Sequence, residues 1–530
     1  MKASLVWAAC KAEAVAFLPF LAALLPIVIL VAGYPVPRLN EFYYLLRLDQ
    51  AWHPQLLAND WTFAYGGSEH RIFNFLFGFP TLFLPLQAVG WAGRALSWIL
   101  LLHSLYRIGA RLGISRFAAG FSIAIWLAIK QAPISEEWIF GGFEAKGIAY
   151  ALLFYAMERG MARKPGMAGL LMGLSFSIHP AVGLWGGLAL TAALALDGYA
   201  RRELLTLMGL GFLASLPAAA PLLISMAGDA GSSREAWRFL LLAKMPFHFD
   251  PFTWDKRAIL PLYLMLAACL PYMRSRMTAR QVASASQPPA DPTAATAPKP
   301  LSPARQLIWF MAASGLCFTL GLIFRYTESY GLLKLMPFRV FAVTCPLFFF
   351  FLMSHALAHW RLSPLPAAAL VAAALGAMGL GNPLGLLVDG VVAIKKVWAQ
   401  PAGDYVETLR WIAGNTPASA IVAMPPWRQE NGYWSRRAQV ASFLFNPYDR
   451  LDEWEERLRA QVGDVPYVGM AQQNEAMRAH YAALGEADVL RLRDRYHAEY
   501  IVTESTYSFP LLHAAGAWKA YRLPPISDAP

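Results

Sequence analysis

Carboxylates, imidazoles and cations recur along this chain at places where long apolar stretches begin or end. A carboxylate can take up the proton of an attacking hydroxyl, and Lys or Arg can hold a phosphate, Arg through planar bidentate contacts. Ionisable groups at membrane depth are costly and usually mark a site or a pathway. The candidate site residues are Glu41, Asp49, His53, Asp60, His70, Arg71, Glu144, Lys146, His179, His248, Asp250 and Arg339.

The composition indicates a membrane protein. Of the 530 residues, 57% are hydrophobic and 15% are charged, whereas soluble domains carry roughly 25% charged residues. Long apolar runs cover residues 14–33, 306–324 and 335–358. A run of about 20 residues is the length that a helix needs to cross roughly 30 Å of hydrocarbon. These runs therefore predict transmembrane helices.

The net charge of +11 does not point to nucleic acid. Lys and Arg gather in short stretches between apolar spans, as the positive-inside rule expects of cytoplasmic loops. No basic face with stacking aromatic residues accompanies the charge, which argues against a nucleic-acid partner. The four cysteines have no CxxC spacing, so neither a disulfide nor a zinc site is predicted.

The basic clusters predict the topology. Lys2 and Lys11 place the N-terminus inside, so residues 34–71 form the first outer loop. The next basic cluster follows residues 72–106, which we interpret as one full crossing plus one short interfacial or re-entrant helix. The same alternation along the rest of the chain gives about 11 crossings. The later predicted spans are 115–131, 147–158, 166–178, 181–196, 204–226, 258–273, 306–324, 336–358 and 364–382.

Two composition changes predict the domain organisation. Residues 281–304 are rich in Ala, Ser, Pro and Thr and are interpreted as a disordered cytoplasmic linker. After about residue 400 the charge density becomes ordinary, and short apolar strands alternate with amphipathic helices. We predict a transmembrane domain over residues 1–399 and a soluble α/β domain over 400–530, which is extracytoplasmic because the number of crossings is odd. The predicted strands are 420–424 and 500–502, and the predicted helices are 404–413 and 452–462.

Several short motifs make the chain resemble the GT-C superfamily of integral-membrane glycosyltransferases. They are Asn40-Glu41 after the first span, His53-Pro54 and Asn59-Asp60-Trp61 in the outer loop, Phe143-Glu144-Ala-Lys146-Gly147, His179-Pro180, and the tail segment 409–417. More narrowly, the chain resembles a group of bacterial polytopic proteins that carry a domain of unknown function. The resemblance implies a multi-pass protein of the bacterial inner membrane and a polyprenyl-phosphate-type sugar donor used on the outer face.

The resemblance also implies roles for the candidate residues. An acidic residue of the first outer loop would act as the base or bind a metal, which selects Glu41 and then Asp60 as catalytic. Arg339 is the predicted phosphate clamp, and the other candidates are predicted to bind substrate. The family usually has two adjacent acidic residues here, and this chain has Asn40-Glu41 instead. The binding of a divalent metal is therefore left as an open alternative, and no metal ligands are assigned.

Structural alternatives stand beside these roles. Glu41 can cap a juxtamembrane helix, and Asp60 can be a helix N-cap. Glu144 and Lys146 can form an ion pair that seats a helix, and Arg339 can extend towards the head groups. At the level of the whole protein, a transporter or flippase of a lipid-linked saccharide and a non-catalytic GT-C-like protein remain alternatives to a glycosyltransferase, although no internal repeat typical of transporters is found.

Overall fold

The computed structural model describes residues 2–65, 68–228, 232–254, 258–270, 302–360, 403–448, 450–467 and 469–526. The described chain is mostly helical and ends in a small sheet. Its helices before residue 361 are α1 (Lys2–Ala32), α2 (Glu41–Gln50), α3 (Trp61–Tyr65), α4 (Arg71–Gly78), α5 (Leu86–Leu112), α6 (Arg116–Ala128), α7 (Ala145–Met161), α8 (Pro165–Ile178), α9 (Pro180–Leu196), α10 (Arg201–Gly228), α11 (Arg234–Arg238), α12 (Pro246–Phe249), α13 (Ala258–Leu270), α14 (Pro303–Tyr326), α15 (Tyr330–Leu333) and α16 (Arg339–Trp360).

The apolar runs form helices, as predicted for a membrane protein. Among the described residues, four helical stretches are long and apolar enough to cross a membrane: Lys11–Ala32, Arg201–Ile224, Pro303–Tyr326 and Arg339–Ala358. Four shorter helices are also apolar: α6, α8, α9 and α13. The total of about 11 crossings stays a prediction.

Three further stretches of the predicted topology have different outcomes. Residues 72–106, interpreted as a short helix and one crossing, contain most of the short α4 and of the 27-residue α5. The predicted linker 281–304 lies outside the described residues up to residue 301, but its last residues differ from the prediction because Pro303 begins α14. The last predicted span, 364–382, also lies outside the described residues.

Small residues let the central helices approach closely. A Cβ atom at Gly169 of α8 would lie 2.2 Å from the carbonyl oxygen of Leu207 in α10, and one at Gly173 would lie 2.2 Å from that of Gly211. Such backbone proximity is typical of helix pairs in membranes, where close van der Waals packing replaces the hydrophobic effect as the driving force.

The described C-terminal part is a five-stranded sheet with helices on it. The elements are α17 (Asp404–Asn415), β1 (Ile421–Ala423), α18 (Asn431–Ser435), β2 (Ala438–Gln439), α19 (Leu451–Val462), α20 (Met470–Ala482), α21 (Glu486–Tyr496), β3 (Tyr500–Thr503), β4 (Leu511–Ala515) and β5 (Trp518–Arg522). Strand order is β2-β1-β3-β5-β4, in which β1 is parallel to β2 and β3, and β5 is antiparallel to β3 and β4. The predicted strands correspond to β1, which is shorter by one residue at each end, and to β3, and the predicted helices correspond to α17 and α19.

The C-terminal part covers one end of the helical bundle. Asn59 donates a hydrogen bond to the Ser419 carbonyl at 2.8 Å, and Lys244 donates one to the Leu444 carbonyl at 2.8 Å. The backbone N–H of Ser233 reaches Asp452 at 2.7 Å. The contacting segments therefore include both the first predicted outer loop and the predicted loop after α10, which share this end of the bundle.

Basic residues of the predicted cytoplasmic loops gather at the other end. Arg107, Arg111 and Arg159 lie 3.1, 2.8 and 3.0 Å from the buried carboxylate of Glu158. Glu158 follows Lys146 by 12 residues along α7, a rise of about 18 Å. The polar groups around Lys146 and those around Glu158 therefore occupy separate levels of the bundle.

Candidate active site

Glu41, the first residue of α2, is completely buried in a web of donors. Nε of Arg94 in α5 donates to one carboxylate oxygen at 2.7 Å, and Nη2 of the same guanidinium contacts the other oxygen. The backbone N–H groups of Arg38 and Phe143 add hydrogen bonds of 3.0 and 2.5 Å. A carboxylate has about four acceptor positions. Glu41 thus has no position left for an acceptor hydroxyl, and this geometry favours a structural role over the predicted catalytic one.

Close packing completes the enclosure of Glu41. A Cβ atom at Gly142 would lie 2.5 Å from Cγ of Glu41. Only glycine at position 142 leaves room for the Glu41 side chain. The loop before α7 therefore packs directly against the Glu41–Arg94 pair.

Asp60 joins the outer loop to the C-terminal sheet. Its Oδ1 accepts a hydrogen bond of 3.0 Å from the N–H of Phe63, as an N-cap of α3 does. Its Oδ2 accepts one of 3.0 Å from the N–H of Gln439 in β2. Burial raises the pKa of Asp60 from 3.8 to about 6, against the lowering effect of these bonds. The contacts correspond to the structural alternative for this residue.

The raised pKa predicts a pH effect on stability. Between about pH 4 and 6 the folded protein holds a proton on Asp60 that the unfolded chain releases, so the contribution of Asp60 to stability grows as the pH falls through this window. The gain is about 1.4 kcal/mol per pH unit at most. Thermal unfolding in detergent measures this gain. From pH 7 to pH 5 the stability of the wild type should increase relative to that of Asp60→Asn.

Asp452→Asn is the matched control for this pH experiment. Asp452 also joins the two parts of the chain, through the N–H of Ser233, but it is exposed. We expect its pH response to equal that of the wild type. An identical response in Asp60→Asn would show that burial does not perturb the Asp60 carboxyl.

Six other side chains converge from five segments beneath the C-terminal part; we call them the central cluster. Its members are Glu137, Glu144, Lys146, His179, His248 and Arg339. Lys146 Nζ lies 3.3 Å from a carboxylate oxygen of Glu137 and 3.3 Å from one of Glu144. Arg339 Nε lies 3.1 Å from the other Glu137 oxygen, and its Nη1 lies 3.2 Å from Nε2 of His179.

Glu137 is the carboxylate at the centre of the cluster, completely buried between two cations. Burial alone would raise its pKa, but the charges of Arg339 and Lys146 outweigh burial and lower the pKa of Glu137. Glu137 is therefore ionised at neutral pH. With Glu144 it balances the two positive charges of Lys146 and Arg339, so an arriving anion would compete with these carboxylates for the cations.

The imidazoles of the cluster are neutral. Burial, together with His70 and Arg339, holds the pKa of His179 well below its usual value. Its Nδ1 lies 3.4 Å from the N–H of Val182 and its Nε2 lies 3.2 Å from Arg339 Nη1, and the neutral ring accepts a hydrogen bond at one of these two nitrogens. Burial and Arg339 lower the pKa of His248 to about 3. His248 Nδ1 donates to the Ser135 carbonyl at 2.7 Å, which leaves the lone pair on Nε2.

His70 extends the cluster towards α2. Its ring centroid lies 5.0 Å from that of His179, and its Nε2 lies 3.2 Å from the Tyr44 hydroxyl. Burial lowers the pKa of His70, so this ring is also neutral at physiological pH. Neutral imidazoles and a phenol hydroxyl can hydrogen-bond to sugar hydroxyls without a charge penalty.

Several polar atoms of the cluster are buried without a well-directed hydrogen bond. One Glu137 oxygen lies within ion-pair distance of Lys146 Nζ, and the other lies within ion-pair distance of Arg339 Nε. Neither contact has the geometry of a hydrogen bond. The hydroxyls of Tyr150 and Ser135 likewise have no partner. Buried polar groups are nearly always satisfied in proteins. This concentration of unsatisfied groups indicates a place for a polar ligand or water.

The loop that carries Glu137 is held by Gln131. Its Oε1 accepts hydrogen bonds from the N–H groups of Ile139 and Phe140 at 2.8 and 2.7 Å, and its Nε2 donates to the Phe140 carbonyl at 2.9 Å. The Trp138 ring, whose centroid is 4.0 Å from Lys146 Nζ, adds a cation–π contact. The loop therefore presents Glu137 in a defined position.

Glu137 was not among the predicted site residues. The adjacent carboxylates Glu136-Glu137 before Trp138 in a predicted outer segment were the available signal. Local sequence cannot show which of two neighbouring acids turns inward. In the structure Ser135 and Glu136 have positive φ values of 66° and 43°, and this turn directs Glu137 into the cluster.

The remaining predicted residues lie outside the cluster. Asp49 contacts His53 Nδ1 and Arg436 Nη2, each at 2.7 Å. Asp250 forms a bidentate pair with Arg325 at 3.0 and 3.2 Å, a structural use of this carboxylate. Arg71 is exposed at the start of α4. The structure thus brings together Glu144, Lys146, His179, His248 and Arg339, with His70 beside them.

The donor set does not fit a divalent metal. Across the described ranges, no group of three or more His, Cys, Asp and Glu side chains is placed to hold a metal ion. The two carboxylates of the central cluster face Lys146 and Arg339 instead.

The comparisons with known proteins concern the fold. No family model matches the chain, and no curated protein matches it in sequence. A crystal structure of the Archaeoglobus fulgidus oligosaccharyltransferase, tethered to an acceptor peptide containing the NVT sequon, is similar over 91% of this chain and 68% of its own, with 13% identity and a TM-score of 0.50.

Two further structures of the archaeal enzyme are similar at lower scores. One is its complex with Zn and sulfate, with 13% identity over 91% of this chain and 67% of the other and a TM-score of 0.43. The other is the enzyme AglB from Archaeoglobus fulgidus with an inhibitory peptide and a dolichol-phosphate, with 14% identity over 92% and 69% and a TM-score of 0.40. The first of these structures shows that this chain shares the fold of that oligosaccharyltransferase.

Proposed function

We propose that this protein transfers a glycosyl group from a polyprenyl-phosphate-type donor to an acceptor on the extracytoplasmic face of a bacterial inner membrane. The observation that carries the proposal is the convergence of Lys146 and Arg339 on Glu137 at the covered end of the bundle. The GT-C-like fold, shared with an oligosaccharyltransferase, supports the same reaction class.

The cations of the cluster suit the leaving group. As the bond between the anomeric carbon and the phosphate oxygen breaks, negative charge develops on the phosphate. Lys146 and Arg339 are buried donors that can stabilise this charge. An arriving phosphate takes the place of Glu137 against these two side chains, since both can only donate hydrogen bonds.

The carboxylate of Glu137 suits the acceptor side of the reaction. Once the phosphate neutralises Lys146 and Arg339, Glu137 loses its ion partners and becomes a stronger base. It can then take the proton of the acceptor hydroxyl while the new bond from this oxygen to the anomeric carbon forms. The phosphate leaves with the electron pair of the broken bond, so charge and protons balance.

The location on the outer face follows from charge. The cluster and the C-terminal part lie at the end opposite Arg107, Arg111 and Arg159, which the positive-inside rule assigns to the cytoplasm. The soluble part that begins near residue 400 is then an extracytoplasmic, periplasmic domain. Cysteine labelling that found this part in the cytosol would overturn the orientation.

A protein that binds the lipid-linked saccharide without transferring it is the second candidate. The observation that favours it is the engagement of Glu41 by Arg94 and of Asp60 by backbone N–H groups, because neither predicted catalytic carboxylate is open to an acceptor. A flippase would use the cluster in the same way. Mass spectrometry of lipid that co-purifies in detergent should detect a polyprenyl phosphosugar in every case, and turnover with an acceptor separates transfer from binding.

Arg339→Met should raise the apparent KM for the donor by about 10- to 100-fold. The estimate is the loss of a charged hydrogen-bond donor to phosphate, roughly 1.5–3 kcal/mol. Steady-state kinetics with purified protein measures it. Arg325→Met is the matched control because Arg325 also pairs with a carboxylate, Asp250, but lies outside the cluster. An unchanged KM in a folded Arg339→Met protein would remove Arg339 from the donor site.

A further inference from the structure

A polar cavity lies where the end of α2 meets the C-terminal part; we call it the junction cavity. Its volume is about 380 Å³. Its lining includes the polar residues Asp49, His53 and Arg436 and several leucines, among them Leu84 and Leu86. The cavity thus combines charged and apolar surface. It is distinct from the central cluster, because none of its lining residues belongs to that cluster.

The polar part of the lining has unused hydrogen-bonding groups. Arg436 binds Asp49 through Nη2 at 2.7 Å, but its Nη1 is buried without a hydrogen-bond partner. The hydroxyl of Thr81, which also lines the cavity, is buried without a partner as well. Each oxygen of Asp49 already has a contact, one with Arg436 and one with His53 Nδ1. The groups of the lining without a partner therefore include two that can donate hydrogen bonds, Arg436 Nη1 and the Thr81 hydroxyl.

The net charge of the cavity lining is positive, because Arg436 and Arg437 outnumber the single carboxylate of Asp49. The guanidinium of Arg437 already donates to Thr416, through its side chain and backbone, and to the carbonyls of Ala413 and Arg436. Arg436 Nη1 and the Thr81 hydroxyl are thus the groups available to a ligand. A ligand that complements these donors in a positively charged lining is an oxyanion such as a phosphate.

The apolar part of the lining continues into an exposed apolar surface. Leu84 follows Phe83 and the short helical turn Phe79–Leu82. Phe79, Leu82, Phe83 and Leu84 are exposed by 49, 40, 72 and 47%. A contiguous apolar patch of this kind marks a contact surface, and aromatic residues concentrate at the level of lipid head groups. The cavity therefore opens beside a surface that an acyl or prenyl chain can cover.

We propose that the junction cavity binds the phosphate head group of an anionic lipid, as a ligand separate from the sugar donor. The phosphate accepts hydrogen bonds from Arg436 Nη1 and the Thr81 hydroxyl, while the lipid chain lies along Phe79 and Phe83. His53 Nε2, the imidazole nitrogen that does not face Asp49, borders the same space. The bound lipid joins the first outer loop to the C-terminal part through one anion, and this binding does not depend on glycosyl transfer.

Native mass spectrometry of the full chain in detergent, titrated with short-chain phosphatidylglycerol, tests the proposal. We expect one lipid to bind tightly, and Arg436→Gln or Ala418→Trp to weaken this binding by at least tenfold. Ala418 is an exposed residue that lines the cavity, so tryptophan there fills the space and leaves every charge in place. Thermal unfolding checks that each variant is folded.

Two controls make the result specific. The first control is Arg428→Gln. Arg428 is as exposed as Arg436, 38% against 37%, and it also pairs with one carboxylate, but it does not line the cavity. This variant should bind lipid as the wild type does. Phosphatidylcholine and glycerol phosphate should compete poorly. Equal lipid binding by the wild type and a folded Ala418→Trp, or equal competition by glycerol phosphate, would overturn the proposal. Transfer activity plays no part in this readout, so failure here leaves the proposed function untouched.

Discussion

Glu137→Gln should lower the turnover number by about 10²- to 10⁴-fold while the donor binds at least as tightly as before. This range is the rate enhancement that a general acid or base typically contributes. Tighter donor binding follows because the substitution removes the anion that competes with phosphate for Lys146 and Arg339. A residue with a purely structural role would not produce a lower kcat together with a lower KM. Steady-state kinetics with purified donor and acceptor measures both constants.

Glu144→Gln is the comparison for this prediction. Glu144 lies 3.3 Å from the same Lys146, but its ion-pair contact is with Lys146 alone, and its other contact is a 3.5 Å approach of the Asn40 amide. We expect a small change in kcat from this variant. If the two variants lost turnover equally, loss of charge around Lys146 would explain both. Wild-type turnover in Glu137→Gln would exclude Glu137 as the base.

The helices could be predicted because their limits are local. The predicted spans 166–178 and 181–196 correspond to α8 (Pro165–Ile178) and α9 (Pro180–Leu196). Pro165 and Pro180 open these helices, where the missing N–H costs no hydrogen bond. His179 then lies at the junction, and a polar residue between two apolar runs is visible in the sequence itself.

The cations of the site could be predicted for a similar reason. Lys and Arg are expected at the cytoplasmic end of the bundle, so Lys146 and Arg339 at the other end are exceptions to the charge pattern. An exception of this kind must be stabilised by a partner. The structure supplies that partner as Glu137, in the loop between α6 and α7.

The role of each carboxylate could not be predicted, because it depends on donors that are distant in sequence. Glu41 and Glu137 are both acids near the ends of apolar spans. Arg94 lies 53 residues from Glu41 and saturates it together with two backbone N–H groups. Glu137 lies between two cations and accepts no well-directed hydrogen bond. Only the tertiary structure shows that the acceptor positions of Glu41 are filled, whereas those of Glu137 are available.

Arg94→Met should destabilise the protein by about 3–5 kcal/mol, the usual cost of leaving one partner of a buried ion pair uncompensated. Both side chains are at most 1% exposed, so water cannot take the place of the guanidinium. Glu41→Gln should cost less, because the amide oxygen still accepts from Arg94. Thermal or denaturant unfolding in detergent measures the loss, and Arg163→Met, which breaks the partly exposed pair with Glu203, is the control with a small expected effect.

The double variant Arg94→Met with Glu41→Leu tests the role of Glu41 in the reaction. Removing both charges leaves no uncompensated ion, so part of the lost stability should return, less the cost of leaving the N–H groups of Arg38 and Phe143 without their acceptor. If Glu41 is structural, the refolded double variant keeps its transfer activity within a few-fold of the wild type. A stable double variant without activity would restore Glu41 as the catalytic carboxylate, and the base would then have to be sought beside Arg94 rather than between Lys146 and Arg339.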